Sequence, residues 1–334
     1  MHSKSAIPAI LLFAAIAATA AAQETGWKAE TATHIDDLRD ITLSSGKDRV
    51  ILHTGDRRFR LSLPRGLFLV SPLKTSNETV PANIIPQGRV ASGHGAVAGT
   101  WLTGPTNRYR HGVLGDPIEA TALQVAFANG REATYRLPDE SVFEDLEPRI
   151  VNVDGVETIL VVRSYPHAGA ALALFGVVGG AIQPVAESRP IGQSHRWQNP
   201  VGAADFDGDG KTEIASVVTP HLSGTLTLFR RIGRILEPVA SIHGYANHFI
   251  GSTVLAMHAV ADVDADGLAD IIIPSLDRRR LVAISFAGGS AREVQSIAHD
   301  SPIATSIVMA DIDRNGTPEI VYGLANGAVT VIRR

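Results

Sequence analysis

The chain is built from short apolar runs that alternate with turns rich in Gly, Asp and Pro. In the C-terminal half this pattern repeats as a strand of small residues, an acidic turn, a continuous apolar strand and a third strand. The first strands are predicted at 201–204, 255–261 and 304–310, the second at 214–218, 271–274 and 320–323, and the third at 224–230, 281–286 and 327–333. No stretch has a sustained helical period. Short apolar runs between turn residues predict an all-β protein.

The acidic turns share the pattern D-x-D-x-[DN]-G-x-x-[DE]-I and begin at residues 205, 262 and 311. Calcium takes about six to eight hard oxygen ligands, which alternate carboxylates and the carbonyl at position 7 can supply, while glycine at position 6 permits the sharp turn. We therefore predict three calcium loops. Their ligands are Asp205, Asp207, Asp209, Glu213 and the Lys211 carbonyl; Asp262, Asp264, Asp266, Asp270 and the Leu268 carbonyl; and Asp311, Asp313, Asn315, Glu319 and the Thr317 carbonyl.

The three ions are expected to be mainly structural, because each would join two strands and cancel a cluster of like charges. Loop three carries one charge fewer and is expected to bind calcium most weakly. A switch that couples calcium to ligand binding is the alternative role.

The spacing of the loops indicates a repeat of about 50 residues with four antiparallel strands, which is typical of a β-propeller blade. A shorter copy at residues 150–159 predicts the same strand, turn and strand without a metal. The last repeat lacks a fourth strand, and we expect residues 27–33 to supply it by pairing with residues 327–333, which removes exposed edges. Chain length predicts about six blades.

These loops resemble the FG-GAP or VCBS repeats, which are known from integrin α-subunit propellers and many exported bacterial proteins. The resemblance covers residues 146–334 and is faint before them. It implies a β-propeller with four-stranded blades, and it favours seven blades over six. Residues 23–145 would then form degenerate N-terminal blades, and residues 146–334 the calcium-loop blades of the same propeller.

The first 22 residues read as a secretory signal peptide, with His2 and Lys4 before an apolar run that ends in alanines. We expect export to a periplasm or the medium, with no membrane span after cleavage. The sequence contains no cysteine, which excludes disulfides, thiolate metal sites and cysteine nucleophiles. Stability is therefore expected to come from the core and from bound ions.

The net charge of −4 is unevenly distributed, because eleven of the 34 acidic residues lie in the three loops. The remainder of the surface is mildly basic. That basicity alone does not indicate a nucleic-acid partner, and none is expected. We expect a monomer.

Propeller geometry places a second set of side chains on the face opposite the calcium loops. The stretches concerned are 107–111, 163–165, 195–199, 220–221, 245–248 and 277–280. The candidate ligand-binding residues are Arg110, His111, Arg163, His195, Arg196, Asn247 and His248. Such a face suits an anionic or sugar-like ligand, although several of these side chains could instead pack between blades.

The sequence favours a ligand- or protein-binding scaffold, with an unidentified protein or glycan as the partner. It contains no G-x-S-x-G, H-E-x-x-H or phosphate-loop motif. The alternative is a carbohydrate-active lyase or hydrolase with its active site on the same face. No catalytic residue is assigned.

Overall fold

The computed structural model describes residues 26–44, 49–74 and 80–333. The predicted signal peptide at residues 1–22 lies outside this range. In the described chain, helical structure is limited to two 3₁₀ turns, Pro64–Gly66 and Ala287–Gly289. A helix long and apolar enough to cross a membrane is not found among these residues. The prediction of an all-β protein is confirmed.

The described residues form 25 strands. They are β1 (Lys28–His34), β2 (Asp40–Leu43), β3 (Val50–His53), β4 (Arg58–Ser62), β5 (Leu69–Leu73), β6 (Ala91–Ser92), β7 (Val97–Thr106), β8 (Glu119–Phe127), β9 (Glu132–Arg136), β10 (Val142–Phe143), β11 (Arg149–Val153), β12 (Val156–Tyr165), β13 (Gly169–Val178), β14 (Ala181–Ser188), β15 (Gln198–Ala204), β16 (Glu213–Val218), β17 (Thr225–Ile232), β18 (Ile235–His243), β19 (Ala259–Ala261), β20 (Asp270–Pro274), β21 (Arg280–Ser285), β22 (Arg292–Ala298), β23 (Val308–Ala310), β24 (Glu319–Gly323) and β25 (Ala328–Arg333).

Neighbouring strands pair antiparallel in six groups of four. The groups are β2–β5, β6–β9, β11–β14, β15–β18, β19–β22, and β23–β25 with β1. Strand β10 pairs with β8 and β12, and β14 pairs with β18 in parallel, so three groups join one larger sheet. The described strands thus make six groups of four. The arrangement is consistent with a β-propeller-like fold.

The two ends of the described chain pair with each other. Lys28 on β1 is opposite Arg333 on β25, and the register continues to His34 opposite Ala328. The predicted pairing of residues 27–33 with 327–333 is therefore confirmed. Strand β1 becomes the fourth strand of the last group and covers the edge of β25, whose residues are mostly buried.

Five apolar clusters lie between successive groups. One example joins Leu228 of the fourth group to Ile271 of the fifth, and another joins Leu52 of the first group to Val331 of the last. Each sheet therefore buries apolar side chains against the next, which explains the continuous apolar runs in the sequence. Over the described ranges, no such cluster joins the first group to the second.

The short copy of the motif forms a tight hairpin, as predicted. Strands β11 and β12 pair through Val153 and Val156, and the turn residues Asp154 and Gly155 have φ of 52° and 82°. Asp and Gly both tolerate this left-handed backbone, which suits a two-residue hairpin. Asp154 also exchanges two hydrogen bonds of 3.1 Å with Thr212, so the hairpin is fixed against loop one.

Candidate functional sites

Each of the three predicted calcium loops joins the first strand of a group to its second strand. The loops connect β15 to β16, β19 to β20, and β23 to β24. In each loop, the position-1, position-3 and position-9 carboxylates bring one oxygen each to within 4.8 Å of one another. These clusters are Asp205, Asp207 and Glu213; Asp262, Asp264 and Asp270; and Asp311, Asp313 and Glu319.

The loop backbone holds the position-1 carboxylate in the same way three times. An oxygen of Asp205 accepts from Gly210 N–H at 2.9 Å, one of Asp262 from Gly267 at 3.0 Å, and one of Asp311 from Gly316 at 2.9 Å. These glycines at position 6 have φ between 83° and 91°, a conformation that glycine adopts at little cost. The repeated motif therefore produces a repeated local structure.

The position-9 acid closes each loop from the strand side. Glu213, Asp270 and Glu319 accept hydrogen bonds from the backbone N–H of Phe206, Val263 and Ile312, at 2.8 to 3.1 Å. All three acids are buried, and burial raises the pKa of each, for Asp270 to about 6. A buried carboxylate among other carboxylates is costly unless a cation compensates it.

The donor set fits a hard cation. It consists of carboxylate oxygens, the Asn315 side chain and the carbonyls of Lys211, Leu268 and Thr317 at the same loop position. In loop two, the buried Oδ1 of Asp270 has no hydrogen-bond partner. A buried carboxylate oxygen that has no hydrogen-bond partner and lies beside two further carboxylates is well placed to bind a metal ion.

Arginines distinguish the loops from one another. Arg230 on β17 bonds Asp207, Asp209 and Glu213 of loop one, and two of these contacts measure 2.9 Å. In loop two, the more exposed Arg292 lies 3.3 Å from Asp264. The described residues around loop three contribute no arginine ion pair to its acids. Sequence reasoning missed Arg230, although it lies directly opposite Glu213 in the β16–β17 register.

A pocket of about 140 Å³ lies at the opposite end of the strands from the calcium loops. Its lining residues lie in four connections, β7–β8, β14–β15, β16–β17 and β18–β19. They are His111, Val113, His195, Arg196, Trp197, Thr219, His221, Leu222 and Ile250. Residues 195–197 precede β15, and residues 219–222 follow β16, whereas loop one lies at the other ends of these two strands. We call these nine residues the histidine pocket.

Two imidazoles of this pocket are held by buried neighbours. Nδ1 of His111 lies 2.5 Å from Oε1 of Glu144, and the Ser164 hydroxyl donates to the other oxygen of Glu144. The ring of His195 stacks on Tyr109 with 5.0 Å between the ring centroids, and the backbone N–H of His195 donates to the Tyr109 hydroxyl at 3.0 Å. His195 has a φ of 55°, an uncommon conformation for a residue that is not glycine.

The third imidazole of the pocket, that of His221, is held by a chain of hydrogen bonds through His248. Nε2 of His248 donates to the Ser252 carbonyl at 2.9 Å, so its Nδ1 accepts from Nε2 of His221 at 2.8 Å. Burial lowers the pKa of His221 to about 4 and of His248 to about 3. His221 is therefore neutral near pH 7 and has only Nδ1 left for a further partner.

Buried acids lie behind the pocket. Burial raises the pKa of Glu144, while the hydrogen bond with His111 lowers it. Burial also raises the pKa of Glu119 to about 9, and the nearby Glu144 adds to this shift. Neither acid was a sequence candidate, because no local motif marks them.

The structure brings together three of the seven candidate ligand residues, namely His111, His195 and Arg196. His248 lies behind the pocket and positions His221. Asn247 is fully buried and donates to the Asn199 carbonyl at 3.1 Å. Arg163 is not part of the pocket lining and forms an ion pair of 3.0 Å with Glu187. Arg110 is exposed and is also outside the lining.

Comparisons with known proteins identify one repeat. An FG-GAP-like repeat matches residues 205–273, a span that contains loops one and two. No curated protein matches the chain. Among solved structures, the chain is similar to the crystal structure of BBS1N in complex with ARL6DN, soaked with mercury. That similarity has 9% identity, covers 91% of this chain and 95% of the other, and has a TM-score of 0.41. It is too distant to support a functional argument.

Proposed function

We propose that the protein is an exported, calcium-stabilised β-propeller of the FG-GAP type that serves as a ligand- or protein-binding scaffold. One observation carries this proposal. The same acidic cluster occurs three times, each time between the first and second strands of a group. Carboxylates held by backbone N–H groups, with glycine at the turn, supply the clustered oxygen ligands that calcium requires. The matched repeat supports the same interpretation.

We infer a ring of six blades. The six strand groups, the shared apolar clusters and the pairing of β1 with β25 support this count. The calcium loops would then lie on one face of the disc and the histidine pocket on the other.

A thermal-unfolding experiment tests the role of calcium. We expect the melting temperature to fall when a chelator replaces millimolar calcium, because uncompensated carboxylates would then repel one another inside each loop. Magnesium at the same concentration should restore less stability, since it prefers a tighter octahedral set of ligands. An unchanged melting temperature in chelator would overturn the proposal.

The second candidate is a carbohydrate-active enzyme that uses the histidine pocket. The contact between His111 and the buried Glu144 favours it, because this arrangement orients an imidazole for proton transfer. An assay of purified protein on uronic-acid and neutral polysaccharides tests this candidate. Cleavage that is lost in His111→Gln, with calcium binding unchanged, would favour the enzyme over the scaffold.

A further inference from the structure

The histidine pocket has a polar side and an apolar side. Histidines and Arg196 form the polar side, while Val113, Leu222 and Ile250 form the apolar side. Val113 is buried, but Leu222 and Ile250 are 55% and 70% exposed. Apolar side chains at the rim of a pocket that also has fixed polar groups give the apolar part of a ligand a surface to cover.

The charge of the pocket favours an anion. Within the described chain, no Asp or Glu is among its lining residues. Glu144, the acid that contacts His111, is fully buried, and His111 and Ser164 occupy its two oxygens. Arg196 contributes a permanent positive charge, so a negative group entering the pocket meets attraction without a competing carboxylate.

The polar groups are fixed before any ligand arrives. His111 is held by Glu144, His195 by Tyr109 and by the Ser194 hydroxyl at 2.7 Å, and His221 by His248. Each imidazole therefore has one ring nitrogen engaged and one available. A few fixed polar groups beside an apolar wall are typical of small-molecule sites.

We propose that the histidine pocket binds a small carboxylate that carries an apolar tail. The carboxylate contacts Arg196, His111 and His195, and the tail covers Leu222 and Ile250. The volume of about 140 Å³ suits a short acyl chain or the terminal residue of a peptide. This inference deepens the binding role proposed above by naming the ligand class.

Calorimetric titration with matched probes tests the ligand class. The probes are hexanoate, its neutral analogue hexanamide, its short analogue acetate, and the hydroxylated acid glucuronate. We expect hexanoate to bind at least about tenfold more tightly than hexanamide, because a charge-assisted hydrogen bond is lost. Acetate and glucuronate should also be weaker by about tenfold, because they lack the apolar tail.

Titration with a peptide distinguishes the two sources of such a carboxylate, a free acid and a peptide C-terminus. A Gly-Gly-Leu peptide is titrated with a free C-terminus and with an amidated one. Tighter binding of the free peptide than of hexanoate identifies a peptide C-terminus as the ligand, and the reverse identifies a free acid. Either result supports the proposal, whereas equal binding of acid and amide probes, or tightest binding of glucuronate, overturns it.

Variants locate the site. Arg196→Gln and His195→Gln should each weaken hexanoate binding roughly tenfold, and Ile250→Ser should weaken hexanoate binding but leave acetate unchanged. His243→Gln is the matched control, because His243 is an exposed histidine at the end of β18 and outside the lining. Hexanoate affinity that is equal in all four variants overturns the assignment. Calcium titration of the same samples reports separately on the scaffold proposal.

Discussion

The guanidinium Nη2 of Arg230 lies 2.9 Å from Oδ2 of Asp207, at the edge of loop one. The same side chain bonds Asp209 and Glu213, so one cation on a neighbouring strand already compensates part of the loop charge. The other two loops lack a comparably buried arginine partner among the described residues. The three loops therefore differ in how much they depend on a bound ion, although their motif is the same.

Arg230→Ala should destabilise the protein by about 1.5–3 kcal/mol in chelator, the range for hydrogen bonds to charged groups. The loss should shrink in millimolar calcium, since the ion would then compensate the same carboxylates. Urea unfolding in both conditions measures the difference. Arg231→Ala is the control, because the Arg231 side chain bonds only a backbone carbonyl, that of Gly233. An equal loss of stability in chelator and in calcium would contradict the view that Arg230 and calcium compensate the same carboxylates.

Asp270→Asn should have opposite effects with and without calcium. The substitution removes a buried charge whose Oδ1 has no partner, while an amide oxygen can still accept from Val263. Stability in chelator should therefore rise by about 1 kcal/mol, and the protein should lose one calcium equivalent. Urea unfolding and calorimetry check the two parts. The exposed Asp300→Asn, outside the loops, should change neither, and a loss of stability in chelator for Asp270→Asn would count against the proposal.

Trp27→Ala should destabilise the protein by about 3–5 kcal/mol, the usual cost of removing a buried large aromatic side chain. Trp27 is 5% exposed, directly precedes β1, and packs with Met257 and Ile320. It therefore anchors the strand that completes the last group. Chemical unfolding measures the change, and Lys28→Ala on the exposed side of β1 is the control. A loss of under about 1 kcal/mol for Trp27→Ala would show that β1 is not anchored there.

The buried His248 should make stability fall as the pH decreases from about 6.5 towards 3. Its pKa is lowered to about 3 by burial, against 6.5 in the unfolded chain. The unfolded state therefore binds a proton that the folded state does not, which weakens folding by up to about 1.4 kcal/mol per pH unit. This stability is fully present above pH 6.5.

Comparison of variants isolates the contribution of His248 from those of the carboxylates. The slope of unfolding free energy against pH, measured in chelator between pH 6.5 and 4.5, should be smaller in His248→Gln than in the unmodified protein. His243→Gln, which changes an exposed histidine, should keep the original slope. Identical slopes in both variants would contradict the assignment.

The fold could be predicted from the sequence where residues close together in the chain determine the structure. The hairpin at Asp154 and Gly155 and the strands around each acidic turn follow from turn chemistry and apolar runs. The pairing of β1 with β25 could also be predicted, because the last repeat lacked a strand and an edge without a partner is unfavourable.

The pocket could be predicted only in part. His111, His195 and Arg196 were candidates because they lie in connections at one end of the strands. Glu144 and the role of His221 depend on contacts between residues 27 to 33 positions apart, for which no local pattern gives a signal. Arg230 is different, since its position opposite Glu213 could have been read from the register of two consecutive predicted strands.

The proposal that the acidic loops bind calcium is tested most directly by isothermal titration of calcium into the purified, metal-free protein. We predict up to three equivalents of binding with dissociation constants of roughly 10⁻⁵ to 10⁻³ M. Asp262→Ala should remove one equivalent and leave the others in place. No heat of binding at millimolar calcium would contradict the calcium assignment.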